Sequence, residues 1–162
     1  NIKKDHDEVT LEEEIRLVDN YIYILNVRFS GEIHFEKKVD ESLLGVHIPS
    51  MLLQPIVENS VNYGIRNIDW EGRIVLSVYR EEEKVCISIK DNGVGMTEER
   101  IAQVMQNCIS HQEDTGDSNG VGLNNVMERL HLFFDGAEEF IMMSEGPGRG
   151  TEVVIRIPYL KM

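Results

Sequence analysis

Two alternating runs, Arg73–Arg80 and Lys84–Lys90, flank Glu81-Glu82-Glu83, and they do most to limit what this chain can fold into. Period-two alternation on both sides of a short charged turn predicts a β-hairpin. The second run ends on Asp91-Asn92-Gly93-Val94-Gly95-Met96, and Thr97-Glu98-Glu99 follows with the pattern of a helix start. Asn-Gly alone would read as a tight hairpin turn. The helix cap behind it makes this a strand-to-helix loop instead. Gly93 and Gly95 allow positive φ or close approach of the backbone to a flat ring. Asp91 sets beside them a group that only accepts hydrogen bonds, and so can select an amino group such as the exocyclic amine of adenine.

Around this hairpin the remaining elements fall into place. Thr10-Leu11-Glu12-Glu13 is a capping-box pattern that predicts a helix to about Arg28. Leu11, Ile15, Val18, Ile22 and Leu25 form a stripe on it, suited equally to a core or to a partner helix. Glu32 to Val39 reads as a strand. Pro49-Ser50 opens a helix over "MLLQPIVENSVNYGI" that closes near Gly64, with Pro55 in its first turn or kinking it. Thr97 caps a short helix, and residues Asn107 to Asn119 are polar, irregular and expected to be mobile. Gly120-Val121-Gly122 opens a last helix with Leu123, Val126, Met127, Leu130 and Phe134 on one face. Phe140–Ser144 and Thr151–Pro158 are the final strands, on either side of "EGPGRGT". The expected fold is α+β: a two-layer sandwich with a mixed, mostly antiparallel sheet covered on one face by helices.

A length of 162 residues suits about one domain, and the net charge of −13 argues against a nucleic-acid backbone or an anionic membrane surface as partner. A polyphosphate ligand would have to be held by backbone N–H groups, a metal ion or a few local cations. Cys86 and Cys108 have no metal-ligand spacing and read as reduced thiols. No signal peptide or long apolar run is present. The start at Asn1, without Met and inside a charged stretch, is expected for a piece of something longer. His6, His34, His47, His111 and His131 are scattered and fit surface or core positions.

Three further constellations carry possible chemistry. Asn59, Asn62 and Tyr63 stand at i, i+3 and i+4 and share one face of an α-helix. Carboxamide oxygens suit Mg²⁺ held together with substrate phosphates, although a plain solvent face is the simpler account. Gly120-Val121-Gly122-Leu123 puts free N–H groups and the positive end of a helix where a phosphate could bind, or is only a flexible helix start. "GPGRGT", Gly146 to Thr151, taken alone is a loose hairpin loop. Neither a G-x-x-x-x-G-K-[ST] loop nor a strand–GxGxxG–helix unit occurs.

Taken in order, an Asn-bearing helix, "DNGVGM", a polar segment, "GVGL" and "GRGT" resemble the boxes of the GHKL (Bergerat-fold) ATP-binding superfamily. The resemblance runs from about Ile48 to Pro158, roughly two-thirds of the chain. "LLQPIVENSVNYGI" with "GVGLNNVMERL" is similar to the LytS/YesM-type sensor histidine kinases. "VTLEEEIRLVDNYIYILNVRF" is similar to the segment that joins their phosphoacceptor helices to the ATP-binding domain. The resemblance implies a helical linker at residues 1–30 and an ATP-binding catalytic domain at 31–162. It implies ATP and Mg²⁺ as ligands, with Asn59 on the metal and Asp91 accepting from the adenine amine. Gly93 and Gly95 would let the loop close on the base, Met96 would line it, and Thr151 would sit beneath it. Met96 to Asn119 would be a lid, and Gly120, Val121, Gly122 and Leu123 would face the phosphates. The full protein would be a membrane-bound homodimeric sensor, this part cytoplasmic, its phosphoryl group passing to an upstream histidine and then to a response regulator. No nucleic acid and no direct membrane contact by this part are implied.

Departures from the pattern sharpen the reading. Superfamily ATPases carry Glu four residues before the metal Asn; here that position is Pro55. Glu58 is the nearest carboxylate and the remaining candidate catalytic group beside Asn59, but the residue before Asn59 points about 100° away around a helix. Slow hydrolysis, and transfer to another acceptor, fit that arrangement. Many kinases have Lys three residues after the Asn. Asn62 stands there here, leaving Arg66, Arg129 or a partner subunit to supply a phosphate cation. No histidine has the "HFLYN"-like context of this subfamily, so the acceptor is expected upstream. A GHKL-type ATPase and a non-catalytic nucleotide sensor are the alternatives.

Overall fold

The computed structural model describes residues 8–29, 32–110 and 119–159, with 110 and 119–121 by their backbone alone. A five-stranded sheet has the order β2-β4-β5-β7-β6, from β2 (Ile33–Val39), β4 (Gly72–Glu81), β5 (Lys84–Asp91), β6 (Glu139–Met143) and β7 (Glu152–Pro158). The β2–β4 pair is parallel and the other pairs are antiparallel. The expected hairpin is present: Glu81 pairs with Lys84, and Glu82 turns the chain at φ 54°. A small ribbon pairs β1 (Glu8–Thr10) with β3 (His47–Pro49), neither of which the sequence pattern marks.

Helices α1 (Leu11–Arg28), α2 (Leu53–Asn59), α3 (Glu98–Ser110) and α4 (Asn119–Phe134) complete the fold. Thr10 caps α1 with both bonds of the capping box. Its stripe faces inward: Leu11, Ile15, Val18 and Ile22 are buried in one core with Ile74, Leu76, Ile87, Ile89 and Leu123. The stripe therefore packs on its own domain. Period two along β5 aims Val85, Ile87 and Ile89 into that core, while Cys86 and Ser88, though buried, face the opposite side of the sheet.

Two helix boundaries differ from the sequence pattern. Residues 49–52 are not helical, because Pro49 closes β3 and Met51 takes φ 58°. The buried carboxylate of Glu14 then accepts from the N–H groups of Met51, Leu52 and Leu53 at 3.2, 2.8 and 3.1 Å, doing the work of a helix cap. Pro55 does lie in the first turn of α2. The helix ends in a π turn, Ser60–Ile65, closed by Arg66 N–H on the Val61 carbonyl at 2.9 Å. Residues Asn107–Ser110, expected to be irregular, continue α3, since Val104 and Cys108 bury one turn apart. Neither Cys86 nor Cys108 forms a disulfide among the described residues, and burial pushes the Cys108 thiol up to about 11. The central part of the expected lid, 111–118, lies outside the described residues, as do His6 and His111.

Candidate functional site

Period two along β5 runs Val85, Ile87, Ile89, Asp91, so the strand's last core-facing position is a carboxylate. Asp91 is 4% exposed. Its Oδ1 accepts from Gly93 N–H at 2.8 Å and Thr151 N–H at 3.2 Å, and the Ser60 side chain also bonds to the carboxylate. Burial holds the carboxyl above the usual range, opposed by the Gly93, Thr151 and Ser60 hydrogen bonds. A buried acid held this way, against a loop, is a candidate binding group rather than a packing residue.

Glycine backbone surrounds it. A Cβ on Gly64 would lie 3.1–3.2 Å from Oδ1, Cγ and Oδ2 of Asp91. Gly93 lies so close to the Gly64 carbonyl that any side chain there would overlap it, and Val94 N–H donates to that carbonyl at 2.9 Å. The π turn thus presses its backbone onto the Asp91 loop.

The loop before β7 is built into the same site and is not loose. Gly148 N–H donates to the Val94 carbonyl at 2.6 Å and Gly150 N–H to the Gly93 carbonyl at 3.1 Å. Ser144 Oγ accepts from Met96 N–H at 3.1 Å and donates to the Gly150 carbonyl at 2.6 Å. Gly95 takes φ 68°, against the Gly146 carbonyl. Asp91, Gly93, Gly95, Met96 and Thr151 therefore come together as the motifs suggest.

The π turn changes what accompanies them. It needs one more residue per hydrogen-bonded ring than an α-turn. A residue three positions on therefore falls short of the starting face, while those four and five on come round to it. Asn59 and Tyr63 directly precede Ser60 and Gly64, which meet Asp91. Asn62 instead shares the wall of a separate cavity with Val61, Ile65 and Arg66. Glu58 accepts from Gln54 Nε2 at 3.0 Å and lies near enough to Tyr21 of α1 to raise its phenol, after burial itself. Its carboxylate belongs to the α1 side. Arg129 donates to the Ser50 carbonyl at 3.1 Å.

Gly122 is exposed and Leu123 buried near the start of α4, and Gly120 and Val121 are described by backbone alone, within its first turn. No group of three or more His, Cys, Asp or Glu among the described residues could hold a metal ion. The described residues therefore offer no all-protein cage of these groups, and a hard cation that arrived with phosphates would need only an amide oxygen such as that of Asn59. Ser60, Gly64 and Ser144 are the site residues that motif reading passes over. Ser60 and Gly64 could have been found as small residues four apart on the helix that also carries Asn59.

A family model described as histidine kinase-, DNA gyrase B-, and HSP90-like ATPase matches residues 49–161. Sensor histidine kinase YesM of Bacillus subtilis (strain 168) is 32% identical over 158 residues, covering 98% of this chain and 25% of that protein. Sensor histidine kinase BtsS of Escherichia coli (strain K12) is 28% identical over 159 residues, with the same coverage of 98% and 25%. The chain thus spans about a quarter of the length of these curated relatives. The nucleotide-free catalytic domain of histidine kinase ThkA matches with a TM-score of 0.61 at 18% identity, over 94% of both chains. Full-length ShkA in complex with AMPPNP matches with a TM-score of 0.65 at 19% identity, over 95% of this chain and 31% of that one.

Proposed function

The chain belongs to the histidine kinase-, DNA gyrase B- and HSP90-like ATPase family, and from that premise we propose that it is the ATP-binding catalytic domain of a sensor histidine kinase. It passes the γ-phosphoryl group of ATP to a histidine elsewhere in a longer, membrane-bound, dimeric protein. From there the group goes to a response regulator. This domain acts on the cytoplasmic side; no helix among its described residues is long and apolar enough to cross a membrane.

One observation carries the reading: a buried carboxylate, fixed by Gly93 and Thr151 N–H groups, opens onto glycine backbone. Asp91 accepts from the adenine amine, with the Gly93–Met96 loop against the base and Thr151 beneath it. A purine with a carbonyl in that position would turn an acceptor toward an acceptor and bind poorly. Asn59 offers its amide oxygen to Mg²⁺, which when bound neutralises triphosphate charge. The start of α4, Gly120–Leu123, offers N–H groups to the phosphates.

Transfer then needs little beyond in-line placement of the acceptor imidazole. The imidazole nitrogen forms its bond to phosphorus as the bond to the bridging β-phosphate oxygen breaks, and ADP leaves. Pro55 has no acid–base group, and Glu58 is engaged with Gln54. Neither activates water, so hydrolysis by this domain alone stays slow.

The test is calorimetric titration with ATP and GTP, with and without Mg²⁺, on the protein and on Asp91→Asn and Asn59→Ala. Selective ATP binding should weaken by about 1.5–3 kcal/mol in Asp91→Asn, the range for a hydrogen bond to a charged group. Asn59→Ala should weaken binding more with Mg²⁺ than without. Labelled phosphate should then move to an upstream acceptor fragment. Nucleotide binding with no transfer would make this a sensor module, and steady turnover on the order of 1 s⁻¹ would make it an ATPase.

A further inference from the structure

Behind the π turn, on the side away from Asp91, lies a cavity of about 620 Å³ that none of the chemistry above uses. Its volume falls in the range of small-molecule sites. Leu25 and Phe29 at the end of α1, Ile33 of the edge strand β2, Val61 and Ile65 of the π turn, and Trp70 give it an apolar wall. Phe29 and Trp70 remain 53% and 45% exposed, so aromatic faces are open to an occupant. The charged lining is Glu32, Asp69 and Glu71 against Arg66. Glu71 sits 3.6 Å from His34, while Glu32 and Asp69 form no ion pair among the described residues. An apolar body flanked by open aromatic faces and surplus carboxylate suits one ligand chemistry: an organic cation with a hydrophobic skeleton.

The wall of this cavity is also the support of the Asp91 loop. Trp70 Nε1 donates to the Asn92 carbonyl at 2.7 Å. Asn92 in turn accepts from Arg73 N–H at 2.7 Å and donates to the Glu71 carbonyl at 2.8 Å. The π turn that supplies Val61 and Ile65 to the cavity supplies Ser60 and Gly64 to Asp91. An occupant that fills the cavity touches both Trp70 and this turn. We propose that the cavity is a binding site for an apolar organic cation, and that its occupancy alters nucleotide affinity at Asp91; the second half rests on the nucleotide reading above.

Trp70 is the single tryptophan of the chain, so its fluorescence reports on the cavity directly. Phenylbutylamine and phenylbutyrate, matched in apolar body and opposite in charge, are titrated against it without nucleotide. The amine should bind saturably and about fivefold or more tighter than the acid. In Glu32→Gln/Asp69→Asn, both changes at exposed side chains, that preference should vanish while folding is kept. Equal binding of the two probes, no binding of either, or an unchanged preference in the double variant overturns the site. ATP titrated at saturating amine should shift in affinity by about threefold or more, with the reciprocal shift for the amine at saturating ATP. An ATP affinity unmoved by bound amine overturns the coupling. If no nucleotide binds while Trp70 still answers the amine, the nucleotide reading has failed and the cavity stands. Repeated on a longer form carrying the preceding residues, a lost response would mean that the protein's own chain fills the cavity, and would overturn the proposal.

Discussion

Asp91 pays for its position in ionisation energy, and that gives two expectations of opposite sense. Its carboxyl is held above the usual range by burial, with the Gly93, Thr151 and Ser60 bonds opposing. A raised acid binds protons more tightly folded than unfolded, so the free protein loses stability as pH rises from the ordinary carboxylate value through the raised one. ATP binding runs the other way, because the adenine amine needs the ionised acceptor. Calorimetry across mildly acidic pH should show ATP affinity falling as pH drops through the raised value, at a higher pH than an exposed aspartate would give. An unchanged ATP affinity over that window would remove Asp91 from the contact. Gly64 makes a second residue-scale test. Its Cβ position lies 3.1–3.2 Å from all of the carboxyl heavy atoms. Ala is otherwise better than Gly in a helix interior by about 1 kcal/mol. Gly64→Ala should therefore leave the thermal midpoint nearly unmoved while weakening ATP by about tenfold. Equal loss of stability and binding would mean that the fold, and not the carboxylate, had been displaced.

At the level of elements, what the sequence makes legible is what is local. The capping box of α1 can be read because Thr10 and Glu13 serve each other three residues apart. The hairpin and the Asp91 loop follow from alternation and a helix cap next to one another. Glu14 could not be read: it looks like one more acid in a helix's first turn, and its N–H partners are 37, 38 and 39 residues away. The π turn was hidden for a related reason. Apolar spacing through Ile56, Val57, Val61 and Ile65 fits an α-helix, and only packing against the Asp91 loop shows where Asn62 goes. Glu14 is open to measurement. Glu14→Gln keeps one acceptor oxygen and should cost about 1–2 kcal/mol, whereas Glu14→Ala leaves buried N–H groups unpaired and should cost about 3 kcal/mol. Urea unfolding gives both values. Equal, small losses would show that water replaces the carboxylate without penalty.

For the molecule as a whole, the question is where the folding unit begins. The family model starts at residue 49, and motif resemblance treats residues 1–30 as a linker. The core makes a different division testable. Leu11, Ile15, Val18 and Ile22 of α1 are each 7% exposed or less and share one cluster with the sheet. Burial of side chains of this size contributes about 1.5–3 kcal/mol apiece, so about 6–12 kcal/mol together. Whole domains are stable by only about 5–15 kcal/mol. Removing α1 also takes Glu14 from the start of α2, the helix whose last turn supports Asp91. A chain cut to residues 31–162 should therefore lose its cooperative unfolding transition, and with it ATP binding. A chain that begins at residue 8 should keep both. Differential scanning calorimetry on the two decides between a linker and an integral first helix: a sharp transition from the shorter chain, with ATP affinity intact, would make α1 an accessory to a domain that stands without it.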